Sequence, residues 1–206
     1  MASCTVDELI RLLENKPNRF LSEKDIPFEL TAEQFCDFAI KDSKVNSIHS
    51  RINALSNIKR AIECRIDELI YAACLHVKSE SEKWNFPKKI HILGNLGILA
   101  PQILKKINRK RNELEHQYIK PSKEDVEDAL DVARLFLEST EKHHGGGSFV
   151  KEVSRTRNDF SRIYSVEFNR KKQVVTVRDS EGIKELKIGN EDMWFDVAKI
   201  LIRKVR

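Results

Sequence analysis

Apolar residues recur three or four positions apart over the first 144 residues and then switch to strict alternation. Residues 47–78 hold no Gly or Pro. Within them Ile52, Leu55, Ile58, Ile62, Ile66, Leu69, Ala72, Ala73 and Val77 follow helical spacing, which predicts one long helix. Two shorter helices are expected before it. TVDELIRLLEN (5–15) starts with Thr5 as N-cap, and TAEQFCDFAIKD (31–42) starts with Thr31 and Gln34 at capping-box spacing. After the long helix, KKIHILGNLGI (88–98) reads as a short helix weakened by Gly94 and Gly97.

Pro101 then opens a helix over 101–120, at the position where proline is best tolerated, and Pro121 stops it. Ser122 caps a further helix, with Glu124 and Asp125 in its first turn where they suit the dipole. Ala129, Val132, Ala133, Leu135, Phe136 and Leu137 supply its apolar side, and Gly145, Gly146 and Gly147 end it. Helices joined by short loops predict an antiparallel helix bundle.

Beyond the glycines the period falls to two. Tyr164, Val166 and Phe168 alternate with polar neighbours, Val175 and Val177 continue the pattern, and Leu186 and Ile188 give a third strand. Arg170, Lys171 and Lys172 lie at one expected turn, and Glu181 with Gly182 at the next. Asn190 caps a final helix with Trp194, Val197, Ala198, Leu201 and Val205 on one face. The expected class is mainly α, a bundle followed by a small α+β domain with a three-stranded antiparallel sheet and a C-terminal helix. The division is 1–44 as an N-terminal helical extension, 45–144 as the bundle and 148–206 as the small domain.

Composition narrows the setting. With 40% hydrophobic and 33% charged residues, the 206-residue chain buries a core of its own. No apolar run approaches the roughly 20 residues that span a bilayer, and the N-terminus lacks the basic start and apolar block of a secretory signal. No membrane partner and a cytoplasmic location are expected. Cys4, Cys36, Cys64 and Cys74 match no zinc or redox spacing, so reduced, buried thiols are expected.

Charge is uneven. Residues 148–206 hold 14 Lys or Arg against 9 Asp or Glu, so the whole net charge of +5 belongs to that segment. An anionic partner follows as an expectation.

The candidate chemistry lies in RKRNELEHQY (109–118). On a helix Asn112 and His116 form an i,i+4 pair, as do Arg111 and Glu115. An imidazole near neutral pKa moves protons. A guanidinium holds a phosphate and offsets the charge that builds on it, and an amide orients either group. The set suits RNA cleavage without a metal, in which a base activates the ribose 2′-OH against the adjacent phosphorus. A surface ion pair between Arg111 and Glu115 on an ordinary helix is the competing explanation. The sequence shows no carboxylate-rich or Cys/His cluster that suggests a metal, and no P-loop, GxGxxG or GxSxG motif that suggests a nucleotide cofactor or a serine hydrolase. No cofactor is expected.

Lys105, Lys106, Arg109 and Lys110 surround this motif with positive charge and are candidate RNA-backbone contacts; a solvated helix face explains them as well. Arg170, Lys171 and Lys172 together with Arg203, Lys204 and Arg206 form a second candidate RNA surface; a solubilising hairpin tip and a helix C-terminus that favours cations explain them equally. His143 and His144 are adjacent on a helix and point about 100° apart, which suits a helix end better than a metal.

R-N-x-x-x-H on the third long helix of a bundle resembles the HEPN family (higher eukaryotes and prokaryotes nucleotide-binding domains). The longer form R-x4-H-x-Y, carried by Arg111, His116 and Tyr118, is similar to HEPN toxins of toxin–antitoxin pairs. The resemblance covers about residues 45–144. It implies a homodimer whose Arg/His helices meet across the two-fold to form one cleft. It also implies a metal-independent endoribonuclease of toxin or antiphage-defence type that leaves a 2′,3′-cyclic phosphate and a 5′-OH. By the same resemblance His116 is the general acid/base, Arg111 the phosphate and transition-state stabiliser, and Asn112 the orienting residue. Tyr118 takes the place of the tyrosine that a nucleotidyltransferase antitoxin adenylylates to silence such toxins. Two-fold pairing also eases a geometric difficulty, because His116 and Arg111 are about 140° apart on an ideal wheel. The rival readings are a non-catalytic dimerisation and RNA-binding module, and an antitoxin-like interaction partner.

Overall fold

A computed structural model describes residues 27–73, 75–98, 120–144, 150–154, 163–169, 174–179 and 182–187. The described part is mainly helical. Five helices come first: α1 (Ala32–Ser43), α2 (Ile48–Ala72), α3 (His76–Ser81), α4 (Phe86–Asn95) and α5 (Lys123–His144). Four strands follow: β1 (Val150–Ser154), β2 (Ile163–Asn169), β3 (Val174–Asp179) and β4 (Gly182–Lys187). None of the described helices is long and apolar enough to cross a membrane. Two units separate, one of Pro27–Leu69 with Trp84–His144, the other containing Ile70–Lys83 and the strands.

The first unit is built on α1, α2 and α5. Thr31 starts α1 with the expected capping box: its hydroxyl accepts from Gln34 N at 3.3 Å, and Gln34 Oε1 accepts from Thr31 N at 2.9 Å. Ala32, Cys36 and Ala39 recur on one face and are buried, and α1 packs against α5. Small residues at 32 and 39 let the backbones approach closely. Residues 32–43, assigned from sequence to an N-terminal extension, thus belong to the same unit as α2 and α5.

Side-chain links set the helix directions. Glu33 meets Arg65 and Asp42 accepts from Asn57, so α1 runs antiparallel to α2. Arg51 reaches Pro121 and Arg65 reaches Glu141, so α5 runs parallel to α2. Ser122 caps α5 as expected: its hydroxyl accepts from Asp125 N at 3.0 Å, and Asp125 Oδ2 accepts from Ser122 N at 3.0 Å. Val126, Leu130, Ala133, Phe136 and Leu137 form its buried stripe. Leu135, expected on that stripe, is 65% exposed.

The single helix expected over 47–78 is in fact two. α2 stops at Ala72, and Leu75 N donates to Ile70 O at 2.9 Å before α3 begins. No Gly, Pro or side-chain cap marks this break, since Leu75 precedes α3 without a capping bond. Leu75 is instead buried to 1% exposure, so burial rather than a helix breaker accompanies the interruption.

Asn85 accepts from Lys88 N at 3.0 Å and Pro87 stands in the first turn, so α4 starts earlier than its apolar pattern suggests. Lys89 Nζ lies 2.6 Å from Asp67 Oδ1 and ties α4 to α2. Gly97, read from sequence as weakening the helix, ends it: φ is +78°, Gly97 N donates to Gly94 O and Ile98 N to Leu93 O, both at 3.0 Å. This is a Schellman closure, with Leu93 and Ile98 both buried.

The sheet has four antiparallel strands in the order β1-β2-β3-β4, one more than expected. The missed strand is β1, VKEVS, whose two valines stand three apart and so carry no alternation. Register places positions 151, 153, 164, 166, 168, 175, 177, 179, 182, 184 and 186 on one face. Val175 on that face is fully buried, and Ile183 on the other is 56% exposed. β3 and β4 join through two residues, and Gly182, paired with Asp179, has φ +132°. The C-terminal helix expected after Asn190 and the helices expected over 5–15 and 101–120 lie outside the described residues.

Candidate functional site

The motif residues Arg111, Asn112, His116 and Tyr118 lie outside the described residues, as do Lys105, Lys106, Arg109 and Lys110. Arg170, Lys171 and Lys172 also lie outside them, in the four-residue connection between the paired Asn169 and Val174. Both flanks of the motif segment are described.

On the N-terminal flank the Schellman closure at Gly97 and Ile98 fixes where the chain leaves α4. On the C-terminal flank Lys120 is exposed and Pro121 buried. Arg51 Nε donates to the Pro121 carbonyl at 2.9 Å, and Arg51 Nη1 donates to Asn46 Oδ1 at 3.3 Å. Sequence reasoning missed Arg51 because its partner stands 70 residues away.

A second polar group lies within the helices. Arg65 is fully buried and Glu68, one turn on, is 1% exposed. Arg65 Nε is 3.3 Å from Glu68 Oε2, and Nη2 meets Glu33 Oε1 and lies 4.0 Å from Glu141 Oε2. Glu68 Oε1 accepts from Ala32 N at 3.3 Å. One guanidinium therefore gathers carboxylates from α1, α2 and α5. Only Arg65 and Glu68 of the four are withdrawn from water, since Glu33 and Glu141 side chains are 45% and 64% exposed. The arrangement holds helices together; it offers no open coordination or nucleophile.

Cys64 joins this group, its thiol donating to Leu30 O at 3.5 Å and Glu68 Oε1 at 3.6 Å. Burial, followed by the nearby Glu68 charge and hydrogen bond, pushes the thiol up to about 12. Burial also raises Cys36, against the pull of Arg134. Both are free thiols; Cys36 is buried, Cys64 is half-buried rather than buried as expected, and both are held away from the thiolate form that nucleophiles and metal ligands need. Among the described residues no group of three His, Cys, Asp or Glu is placed to hold a metal ion.

Three of the described histidines meet partners on their own stretch of chain. Asn53 Nδ2 is 3.1 Å from His49 Nε2, and Asn95 Nδ2 is 3.2 Å from His91 Nε2, both exposed pairs one turn apart. The His76 ring stacks at a tilt on Tyr71, with centroids 4.5 Å apart. No family model matches the chain, and neither a curated protein nor a solved structure is found similar to it.

Proposed function

We propose that the chain is a metal-independent endoribonuclease of HEPN type, acting as a homodimer in a toxin or antiphage-defence setting. The observation that carries the reading is the set Arg111, Asn112, His116 and Tyr118 on the segment between α4 and α5. The 22-residue α5 that follows the segment supports it, as does the segment's place next to a capped helix start.

In this reading His116 takes the proton from a ribose 2′-OH, and the 2′ oxygen attacks the adjacent phosphorus. The bond to the 5′ oxygen breaks, the leaving oxygen takes a proton, and a 2′,3′-cyclic phosphate and a 5′-OH result. Arg111 holds the phosphate and offsets the charge that grows on it, and Asn112 orients the pair. Arg111 of one protomer serves His116 of its partner across the two-fold. Lys105, Lys106, Arg109 and Lys110 bind the RNA backbone beside the cut. Tyr118 is the position at which a nucleotidyltransferase antitoxin silences the enzyme. In this reading the HEPN-like bundle lies within residues 45–144, α1 adds to its unit, and the strands of 148–206 belong to the other unit.

The rival is a dimeric RNA-binding module without scission. The location of the entire net charge in residues 148–206, away from the motif, favours it.

Incubation of the wild-type and His116→Ala proteins with total tRNA and a structured mRNA in excess EDTA separates the two. Wild-type cleavage to cyclic ends, lost in a folded His116→Ala protein, is the expected result. RNA binding without cleavage by a wild-type protein whose Tyr118 has its unmodified mass would sink the enzyme reading.

A further inference from the structure

Arg65 carries a charge that it cannot shed. A guanidinium stays protonated at any pH a folded protein meets, and this one is fully buried. Nη1 finds no hydrogen bond among the described residues, so the charge is balanced by ion pairs. Among the described residues those pairs come from carboxylates on three helices: Glu33 of α1, Glu68 of α2 and Glu141 of α5. Cys64 faces the same group, its thiol pushed up to about 12 and so uncharged at neutral pH and below. Asp67 also acts on Cys64, and Arg134 and Asp37 act on Cys36.

Of these helices α1 has least to lose by moving. Its buried residues are Ala32, Cys36 and Ala39, whereas α5 buries Val126, Leu130, Phe136 and Leu137. Burial stabilises in proportion to apolar area, so small side chains hold α1 weakly. Its start is tied instead by polar contacts to one turn of α2. Glu33 meets Arg65, Ala32 N donates to Glu68 Oε1, and the Cys64 thiol donates to Leu30 O. Helix α1 therefore rests on the same charges that balance Arg65.

We propose that this cluster is an acid-sensitive latch: protonation of its carboxylates strips Arg65 of its counter-charges, and α1 lifts as a unit to let the guanidinium reach water. In the closed form the carboxylates face a fixed positive charge, which favours their ionised state. The open form therefore binds protons more readily, and falling pH drives opening. Glu33 and Glu141 have 45% and 64% exposed side chains and exchange protons with water in the closed form. Glu68 is buried, and its protonation is the step that leaves Arg65 alone. A buried charge without a partner is strongly destabilising, and the lightest cover gives way first. Carboxylates ordinarily titrate near pH 4, which puts the opening at roughly pH 5 to 3.

The test uses the full-length chain and a pyridyl disulfide, which stays reactive toward thiols in acid. Labelling of Cys36 and Cys64 is located by peptide mass spectrometry. Each rate is divided by that of the urea-unfolded chain at the same pH, and helical circular dichroism is followed in parallel. Between about pH 7 and 4 both thiols are expected to label at least about tenfold faster while most of the helical signal remains. Glu68→Gln keeps an acceptor for Ala32 N but removes the buried counter-charge, so it should label about tenfold faster already at neutral pH. Arg65→Met, Glu68→Leu has no charge to strand, and its thiols should stay protected until the helical signal itself is lost.

Labelling that rises only together with the loss of helical signal overturns the proposal, since the cluster is then an ordinary part of acid unfolding. Labelling of Cys64 with Cys36 still protected also overturns it, because the chain at Leu30 then frays without α1 lifting. A folded double variant that opens at the wild-type pH removes Arg65 as the cause. Should the double variant not fold, Glu68→Gln decides alone: wild-type labelling rates at neutral pH mean that the Glu68 charge does not hold the latch.

Discussion

Arg65 and Glu68 stand one turn apart on α2, both removed from solvent, with Nε 3.3 Å from Oε2. Removing one partner of such a pair leaves a buried charge uncompensated and costs about 3–5 kcal/mol. Arg65→Ala is expected to lose stability of that order in urea unfolding, because Glu68 is left buried beside a thiol. Glu33→Ala is expected to lose about 1 kcal/mol or less, since Glu33 is half in water. The double variant Arg65→Met, Glu68→Leu replaces the pair by apolar volume and should be more stable than Arg65→Ala alone. A double variant as unstable as Arg65→Ala would mean that the ion pair itself, and not the avoidance of a lone charge, holds α2.

A side chain at Gly97 is expected to carry a backbone cost and no steric one. The Gly97 φ of +78° lies in the left-handed region, and a Cβ there would meet nothing within 4 Å. The cost of Gly97→Ala is therefore backbone strain alone, about 1–2 kcal/mol. Thermal unfolding measures it. A Gly97→Asn variant should recover part of the loss, because asparagine visits this region more readily. A neutral Gly97→Ala would show that the Schellman closure after α4 is not held in solution.

Cys64 is expected to be nearly inert in the folded chain. A thiol raised from 9.0 to about 12 has a thiolate fraction about a thousandfold lower at pH 8, and labelling by a disulfide reagent should slow accordingly. The sign for stability follows from the same shift. The unfolded thiol ionises near 9 while the folded thiol keeps its proton, so the unfolded state gains as pH rises. The stability tied to the neutral thiol is complete below pH 9 and is lost progressively between 9 and about 12. Cys64→Ser should flatten that alkaline decline in urea titrations. An unchanged decline would place its source in another group.

Features that depend on neighbours in sequence were legible. The caps at Thr31 and Ser122 follow from side chains three residues from their partners. The apolar face of the sheet follows from period-two alternation in β2 and β3. Features that depend on distant residues were not. The α2–α3 break has no Gly or Pro to announce it, and β1 has valines at the wrong spacing. Gly97 looks the same in sequence whether it weakens a helix or ends one; only its φ decides. Arg65 and Arg51 were overlooked because they reach partners far along the chain, Glu141 at 76 residues and Pro121 at 70. The candidate chemistry is the reverse case: the motif is explicit in the sequence, and what flanks it is explicit only in the fold.

Two basic groups compete as the RNA surface, and salt dependence tells them apart. Each phosphate contact on a single strand contributes about 0.7 to the slope of log K against log salt. In a His116→Ala background, chosen to prevent cleavage on the ribonuclease reading, Lys105, Lys106, Arg109 and Lys110 changed together to alanine should lower the slope by up to about 2.8. Arg170, Lys171 and Lys172 changed together should lower it by up to about 2.1 if the β2–β3 connection also tracks the backbone. Fluorescence anisotropy with a labelled single strand between about 50 and 200 mM salt reads both. A loss confined to the first group places binding beside the motif and favours the nuclease. A loss confined to the second places it on the sheet-bearing unit and favours the binding module. If neither group changes the slope, neither tracks the backbone, and the test moves to Arg203, Lys204 and Arg206.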